Sequence, residues 1–239
     1  MSTVRAWPDA VKTIYVLCHP VKERDRYERL IPHLLERGIP ADRIRIWAPT
    51  WGSDLTVEQI FTAYNPYLER AHLPTFSFKG SNLTRGEISL GINFATAVLN
   101  IAMKPEEGLM MFLESDIWLR EDFVPRLWDL LRDTEGRPWD YLSLGEGIGT
   151  RAPGSPSSYY APTKAYAPPH QWVFRCTDSM LFSTGYLRRL AHTVLPFKEI
   201  IDWEMNFQLM LHKGVALWAD PPLAEQGTCF SRVITTLPA

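Results

Sequence analysis

Apolar runs that are rich in β-branched residues alternate along the chain with longer stretches of helical periodicity. The first run, "TIYVLCH" at residues 13–19, is bounded by Pro20 and predicts a buried strand. The next stretch, "ERDRYERLIPHLLERG", has its apolar residues at helical spacing and ends at Gly38, while Pro32 should kink this helix or delay its start. Further strands are predicted at "RIRIWAP", "LMMFLESDIWL", "DYLSLG", "CTDSMLFSTG" and "VALWADPP".

Two of the predicted helices begin with a capping-box pattern. Thr56 and Gln59 in "LTVEQIF" have the required spacing, and so do Thr84 and Glu87 in "LTRGEISLGINFATAVLNIAM". Three further helices are predicted at "REDFVPRLWDLLRD", "YLRRLAHTVL" and "DWEMNFQLMLHKG". Because strands alternate with helices, we expect an α/β fold in a single domain over residues 1–239, with a mainly parallel central sheet flanked by helices.

One segment, residues 149–172, has no periodicity and is rich in Pro, Ser and Tyr. It predicts a long surface loop rather than a linker between domains. The loop is long enough to act as a lid or as the rim of an acceptor site, and a loop with no such role remains an equal alternative. Its aromatic residues available to stack on sugars are Tyr159, Tyr160, Tyr166 and Trp172.

Composition and charge exclude several classes of protein. A net charge of −2 gives no polycationic surface, so we expect no nucleic-acid partner. Charged residues break every apolar stretch before it reaches the roughly 20 residues of a membrane span, and the amino terminus lacks the apolar core of a secretory signal. The three cysteines are far apart and form no C-x-x-C pair, which favours a reduced, cytoplasmic setting.

Two acidic residues, Glu114 and Asp116, interrupt the apolar stretch "MMFLESDIWL". In a strand they would share one face at its carboxyl end, which is the edge where open α/β sheets bind ligands. Two carboxylates this close repel each other unless a cation neutralises them, and Mg²⁺ or Mn²⁺ combines such carboxylates with substrate phosphates. The pair therefore predicts a metal–diphosphate site. The alternative is that Asp116 caps the turning chain and Glu114 faces solvent.

Five stretches, in order, resemble glycosyltransferase family 25, which includes the lipopolysaccharide (lipooligosaccharide) and procollagen galactosyltransferases. They are "VLCHPVKERDRYERL", "LTRGEISLGINFA", "MFLESDIWL", "WDYLSLGEG", and "DSMLFSTGYLRRL" with "IIDWEMNFQLMLHKGVALWADPPLAEQG". The resemblance spans most of the chain. It implies the GT-A nucleotide-diphospho-sugar transferase fold, a nucleotide-sugar donor with a UDP-sugar favoured, a glycan or glycoconjugate acceptor, inversion at the anomeric carbon, and Mn²⁺ (or Mg²⁺).

This chain departs from the family pattern at two places. Members of the family often have a second Asp where this chain has Ser115, which removes one charge from the acidic motif. The family's Gly-Cys and Ser-His pairs are replaced by Ser89-Leu90 and Asn93-Phe94, so the identity of the donor cannot be carried over.

The donor is expected to contact residues from several elements. Asp116 is expected to bind the metal directly, and Glu114 to act through water or on the ribose. Arg24 and Arg85 are candidates for the diphosphate, Arg85 because it lies in the first turn of the helix that Thr84 caps. The alternative for each arginine is a solvated surface position.

Two residues that follow the first and second strands, His19 and Trp51, are candidates for the nucleobase site. Trp51 would stack on the base, and a position in a corner of the core is an equal alternative for it. No histidine follows His212, so Gln226 or water is expected to complete the metal shell.

The acceptor side is expected in "IIDWEMNF". The resemblance places the catalytic base at Asp202, with Glu204 in reserve, and Asp202 is also a good candidate for a helix N-cap. Trp203 between them is a candidate to line the acceptor's apolar face, with burial in the core as the alternative.

Three other functions compete with glycosyl transfer. A phosphatase of the haloacid-dehalogenase type needs an Asp nucleophile near the amino terminus, a condition that Glu114 does not meet. A sugar-1-phosphate nucleotidyltransferase needs a glycine-rich loop after the first strand, where "CHPVKERDR" has no glycine. A non-catalytic protein that binds sugar nucleotides or glycans remains open, because Ser115 is compatible with lost activity.

Overall fold

A computed structural model describes residues 5–70, 83–147, 149–170 and 173–227. Its strands are β1 Val11–Leu17, β2 Ile44–Ile46, β3 Leu109–Glu114, β4 Ile117–Leu119, β5 Tyr141–Ser143, β6 Lys164–Tyr166, β7 Ser179–Ser183, β8 Ala216–Asp220 and β9 Ala224–Gln226. Its helices are α1 Arg24–Glu36, α2 Val57–Ala63, α3 Arg85–Ala102, α4 Phe123–Asp133, α5 Thr184–Leu190 and α6 Ile201–Leu211. Short 3₁₀ turns lie at Ala41–Arg43 and Gly52–Asp54.

Seven of these strands form one mixed sheet in the order β2-β1-β3-β7-β5-β8-β6, and β4 pairs with β9 in a separate two-stranded sheet. In the large sheet β2, β1, β3, β5 and β8 run in one direction, while β7 and β6 run in the other. The expected α/β class with a central sheet flanked by helices is confirmed, and the prediction of mainly parallel strands is refined by the two reversed strands.

Alternating side chains of the central strands fill two cores, one on each face of the sheet. In β3, Met111 and Leu113 pack with apolar residues of α1 and α4, whereas Met110 and Phe112 pack with those of α3, α5 and α6. This is why "LMMFL" has no polar position, since a strand covered by helices on both faces has no side exposed to water. The loops after β1, β2 and β3 consequently meet at one edge of the sheet, between the two helix layers.

Local signals in the sequence placed several boundaries correctly. Both capping boxes are formed, Thr56 with Gln59 at α2 and Thr84 with Glu87 at α3. Helix α1 begins at Arg24 and continues through Pro32, so the proline does not delay its start. Among the described residues, no helix is both long enough and apolar enough to cross a membrane.

Three expectations about elements were wrong. Strand β3 ends at Glu114, so Asp116 lies in the turn before β4 and does not share a strand face with Glu114. The N-cap of α6 is Ile200, and Asp202 lies inside the first turn of that helix rather than at its cap. The predicted loop 149–172 contains strand β6, which pairs with β8 at the edge of the sheet.

Candidate functional site

A cleft of about 490 Å³ opens where the loops after β1, β2 and β3 meet the first turn of α3. Its volume is within the range of small-molecule sites, roughly 300–1,000 Å³. The sequence-predicted residues that line it are Trp51, Arg85, Glu114, Asp116 and Gln226. Residues as far apart in the chain as Trp51 and Gln226, which are 175 positions apart, are thus brought together at one edge of the sheet, and acids and cations line the same cleft.

Glu114 is the acid at the end of β3. The Thr177 hydroxyl donates a hydrogen bond to its carboxylate, and its backbone N–H donates to the Asp178 carbonyl at 3.0 Å. The pKa of Glu114 is raised to about 8, mainly by burial; the negative charges of Asp116, Asp178 and Asp202 act in the same direction, and the hydrogen bond from Thr177 acts against it. Glu114 is half-buried and lines the cleft, so it lies at the cleft rather than on the open surface, in a region where negative charge is unfavourable.

Asp116 lies in the turn that follows and is 4% exposed. Its backbone carbonyl accepts a hydrogen bond from Gly227 N–H at 2.8 Å. Strand β9 reaches the same place, because Ile117 of β4 pairs with Gln226. This pairing brings the Gln226 side chain to the cleft beside the two acids, where it was expected as a further metal ligand.

A third acid, Asp178, lies behind Glu114 and was given no role from the sequence. It is 1% exposed, and its Oδ1 accepts hydrogen bonds from the backbone N–H and hydroxyl of Ser179, at 2.5 and 3.2 Å. Its Oδ2 is buried without a hydrogen-bond partner among the described residues, and burial raises its pKa to about 7. A Cβ at Gly145 would lie 2.4 Å from this oxygen, so only glycine leaves room for it. The signal for this residue was an acid directly before the apolar run "SMLF".

The residues present limit the kind of metal site that the cleft can form. Across residues 5–70, 83–147, 149–170 and 173–227, no three His, Cys, Asp or Glu side chains are grouped to hold a metal ion. Glu114, Asp116 and the Gln226 amide do not make a closed protein cage. An ion of the Mg²⁺ or Mn²⁺ class, if bound here, would take one or two of these carboxylates and complete its shell with water and substrate phosphates.

Of the two arginines predicted for a diphosphate, one lies in the cleft. Arg85 lines it, and its Nη2 donates to the Leu55 carbonyl at 2.6 Å, which anchors the guanidinium beside the first turn of α3. The backbone of Gly86 also lines the cleft. Arg24 does not line this cleft, because its side chain is 74% exposed and pairs with Glu28 at 2.7 Å. It borders a neighbouring, more open groove instead.

The first turn of α1 also contributes a cation to the cleft, Arg26. Its Nη1 donates a hydrogen bond to the Ser115 hydroxyl at 2.9 Å, and that hydroxyl donates to Glu23 Oε1 at 2.7 Å. Glu23 Oε2 accepts from the His19 backbone N–H at 2.8 Å. Arg26 was missed because "KERDR" offers several equivalent cations and no sequence signal distinguishes them.

His19 and Trp51 lie side by side, as expected of residues that follow neighbouring strands. Their rings meet edge-on with centroids 5.8 Å apart. The His19 Nδ1 accepts from the backbone N–H groups of Val21 and Lys22, both at 3.2 Å, so the proton of the neutral ring is on Nε2. Trp51 lines the cleft and also borders the neighbouring groove, whereas the His19 side chain supports the loop.

Two residues of the altered α3 motif have a structural task. Asn93 accepts from the backbone N–H and the hydroxyl of Thr50 at 2.9 and 2.8 Å, and its amide donates to the Thr50 carbonyl at 3.1 Å. The hydroxyls of Ser89 and Thr50 lie 2.9 Å apart. These contacts fix the loop after β2, which carries Trp51, to the helix that carries Arg85.

The residues predicted for the acceptor side lie on α6 and do not line the cleft. Asp202 is half-buried, and its Oδ1 accepts from the Trp203 backbone N–H at 3.0 Å. Burial raises the pKa of Asp202, and the charge of Glu87 contributes in the same direction. Its charge also acts on Glu114, so the carboxylates of α6 and β3 interact electrostatically. Trp203 is half-buried beside it.

Glu204, the reserve candidate for the base, is enclosed in the core. It is fully buried, and Arg70 Nη2 donates to its two oxygens at 2.8 and 2.7 Å. Gln208 donates to it at 2.9 Å and the Lys198 backbone N–H at 3.0 Å. These donors occupy both oxygens, so the role that the structure gives Glu204 is to join α6 to the chain around Arg70.

The segment at residues 149–170 is held against the body of the protein. The Tyr159 hydroxyl donates to Glu146 at 2.7 Å, and Arg120 donates to the Tyr159 carbonyl at 3.2 Å. The Ala152 N–H donates to buried Asp220 at 2.7 Å. Of the other aromatic residues proposed to stack on sugars, Tyr160 is exposed, Tyr166 lies in β6, and Trp172 lies outside the described residues.

The functional assignment rests on the geometry of the cleft, because sequence comparisons found no match. No family model and no curated protein sequence matches the chain.

Proposed function

We propose that the protein is a metal-dependent glycosyltransferase of the GT-A type. It would transfer a sugar from a nucleoside-diphosphate sugar, with a UDP-sugar favoured, to a hydroxyl of a glycan or glycoconjugate acceptor, with inversion. The observation that carries the proposal is the convergence of Glu114 and Asp116 with Arg26 and Arg85 on one cleft at the carboxyl edge of the sheet. Acids and cations in one cleft suit a ligand that is itself an anion combined with a divalent cation.

Different residues of the cleft would bind different parts of the donor. Glu114, Asp116 and Gln226 would hold a Mn²⁺ or Mg²⁺ ion, which would neutralise negative charge on the leaving diphosphate. Arg85 and the backbone N–H groups of the first turn of α3 present positive charge to phosphate oxygens. Trp51 offers a ring face to the nucleobase, and the contacts between Thr50 and Asn93 fix its loop relative to α3.

Inverting transfer requires one base that takes the proton of the acceptor hydroxyl. Asp202 is the residue that we assign to this step, since a base with a pKa raised towards neutrality accepts a proton more readily while still ionised. The resemblance to glycosyltransferase family 25 also places the base at this position. We do not assign the step to Glu204, because its oxygens are occupied by Arg70 and Gln208.

A second candidate function is a non-catalytic protein that binds the same sugar nucleotide. It is favoured by one observation, that Asp202 lies outside the lining of the cleft. The two functions differ in turnover, because both bind nucleotide and only the transferase hydrolyses or transfers the sugar.

A panel of UDP-, GDP-, CMP- and dTDP-sugars, each with Mn²⁺ or EDTA, tests the proposal by thermal shift and donor hydrolysis. We expect one donor to raise the melting temperature only with metal and to be hydrolysed slowly by the wild-type protein. Asp116→Asn should lose both effects, while Asp129→Asn, which changes an acid paired with Arg5 on the surface, should keep both. Binding with no hydrolysis, and no transfer to added glycans, would favour the binding protein. No binding by the wild-type protein would refute both.

A further inference from the structure

Ser115, which lies between the two acids Glu114 and Asp116, makes two side-chain hydrogen bonds of its own. Ser115 is buried, and its hydroxyl is used in both directions, as acceptor for Arg26 Nη1 at 2.9 Å and as donor to Glu23 Oε1 at 2.7 Å. All three side chains line the same cleft as Glu114 and Asp116. The start of α1 and the turn after β3 are therefore joined at the cleft through one hydroxyl.

The geometry leaves most of the guanidinium available to a ligand. Arg26 has five N–H donors, and within the described residues one of its hydrogen bonds is made, to Ser115. Its ion pair with Glu23 is longer, at 3.6 Å, and its side chain is 43% exposed. Glu23 is turned away from a closer pairing, because Oε2 accepts from His19 N–H and Oε1 accepts from Ser115.

The chemistry of a hydroxyl explains what this arrangement achieves. A carboxylate at position 115 would form a short ion pair with Arg26 and take up its charge. A hydroxyl fixes the direction of the guanidinium through a hydrogen bond but carries no charge, so the positive charge of Arg26 is compensated only by the longer ion pair with Glu23. Arg26 is then both ordered and attractive to an anion, which neither a solvated surface arginine nor a fully paired one would be.

We infer that Ser115 is a positioning residue that holds Arg26 as a binding group for the diphosphate of the ligand. This inference rests on the proposed function, since it deepens the assignment of the same cleft. Ser115 acts only through Arg26, so loss of the hydroxyl should matter to diphosphate binding while Arg26 is present and should not matter once Arg26 is removed.

A double-mutant cycle on metal-dependent nucleotide binding tests the inference. Binding of UDP, GDP, CDP and dTDP in Mn²⁺ is measured by calorimetry on the wild-type protein, and the tightest ligand is carried forward. We expect Ser115→Ala to weaken binding about tenfold, as for loss of a hydrogen bond to a charged group, and Arg26→Gln to weaken it by at least as much. The double variant should be no weaker than Arg26→Gln alone, and Ser115→Thr, which keeps the hydroxyl, should bind within about twofold of wild type.

Two comparisons separate positioning from a general loss of structure. Ser183→Ala also removes one serine hydrogen bond, the 3.1 Å bond from Tyr186 N–H at the start of α5, at the opposite edge of the sheet. It should lower the melting temperature without changing nucleotide affinity. Equal losses from Ser115→Ala in the presence and absence of Arg26 would overturn the inference while leaving the transferase proposal intact. Failure of the wild-type protein to bind any of the four diphosphates would overturn both.

Discussion

The interior position of Glu204 leads to a quantitative prediction about stability. Glu204→Gln removes the negative charge that faces Arg70, whose side chain is 10% exposed, and leaves that guanidinium beside a neutral amide. Removing one partner of a buried ion pair costs about 3–5 kcal/mol, because the remaining charge is desolvated and uncompensated. For a chain of this size, 1 kcal/mol corresponds to about 2–4 °C, so we expect the melting temperature to fall by about 6–20 °C.

Urea denaturation and thermal melting of purified protein measure this loss. Glu28→Gln is a matched control, because it removes the acid of an ion pair on the helix surface with Arg24, where a change within about 0.5 kcal/mol is expected. In the double variant Arg70→Met/Glu204→Met neither charge is left in the core, and it should be more stable than Glu204→Gln alone. If Glu204→Gln has wild-type stability and has lost donor hydrolysis, Glu204 takes part in the reaction, and the structural role assigned to it is refuted.

Three further predictions concern the remainder of the fold. Burial, with the charges of Arg37 and Arg29, lowers the pKa of His33 from 6.5 to about 4 while its Nε2 accepts from Leu119 N–H at 2.8 Å. As the pH falls, His33 in the unfolded chain is protonated before His33 in the folded protein. The stability present above pH 6.5 should therefore be lost as the pH falls towards 4, by at most about 3 kcal/mol. In urea titrations, His33→Gln should reduce this dependence of stability on pH. Gly145→Ala places a methyl group 2.4 Å from Asp178 Oδ2 and should destabilise by about 1–3 kcal/mol; the same loss in an Asp178→Gly background would contradict the clash. Thr84→Ala removes the capping box of α3 and should cost about 0.5–2 kcal/mol in the same assay, whereas Thr84→Ser should cost little.

Features that depend on neighbouring residues were accessible from the sequence. The capping boxes at Thr56 and Thr84 are formed because both partners lie within one helical turn. The buried strand "LMMFL" was recognisable because an apolar run covered on both faces has no polar position. The acids were expected at the carboxyl edge of the sheet, and Glu114 and Asp116 line a cleft there together with Trp51, Arg85 and Gln226.

Features that depend on rotation or on long-range packing were not accessible. Arg24 and Arg26 are two residues apart at the start of α1, and because each residue turns the helix by about 100°, they face in nearly opposite directions. Only the packing of α1 on the sheet decides which of them enters the cleft. Strands of three residues, such as β6 and β9, are too short to show a period, so neither was separated from its surroundings.

The sequence also did not show how deeply each acidic side chain is buried. Glu204 and Asp202 are two residues apart in "DWEMNF", and only the family resemblance favoured Asp202 over Glu204 as the base. The structure separates them, since Glu204 faces Arg70 in the core while Asp202 is half-buried. Asp178 was missed for the same reason. Its burial depends on the close approach of Gly145, which follows β5 and lies 33 positions earlier in the chain.

The most direct test of the central claim is a titration of Mn²⁺ into the protein, followed by electron paramagnetic resonance, with and without a nucleoside diphosphate. Two carboxylates and an amide should bind the ion weakly alone, and bound diphosphate should complete its shell, so we expect the affinity for Mn²⁺ to rise at least tenfold when UDP or the preferred diphosphate is present. Asp116→Asn should abolish that increase, and Asp129→Asn should retain it. An affinity for Mn²⁺ that is the same with and without nucleotide, or that survives Asp116→Asn, would contradict the assignment of a metal–diphosphate site to this cleft.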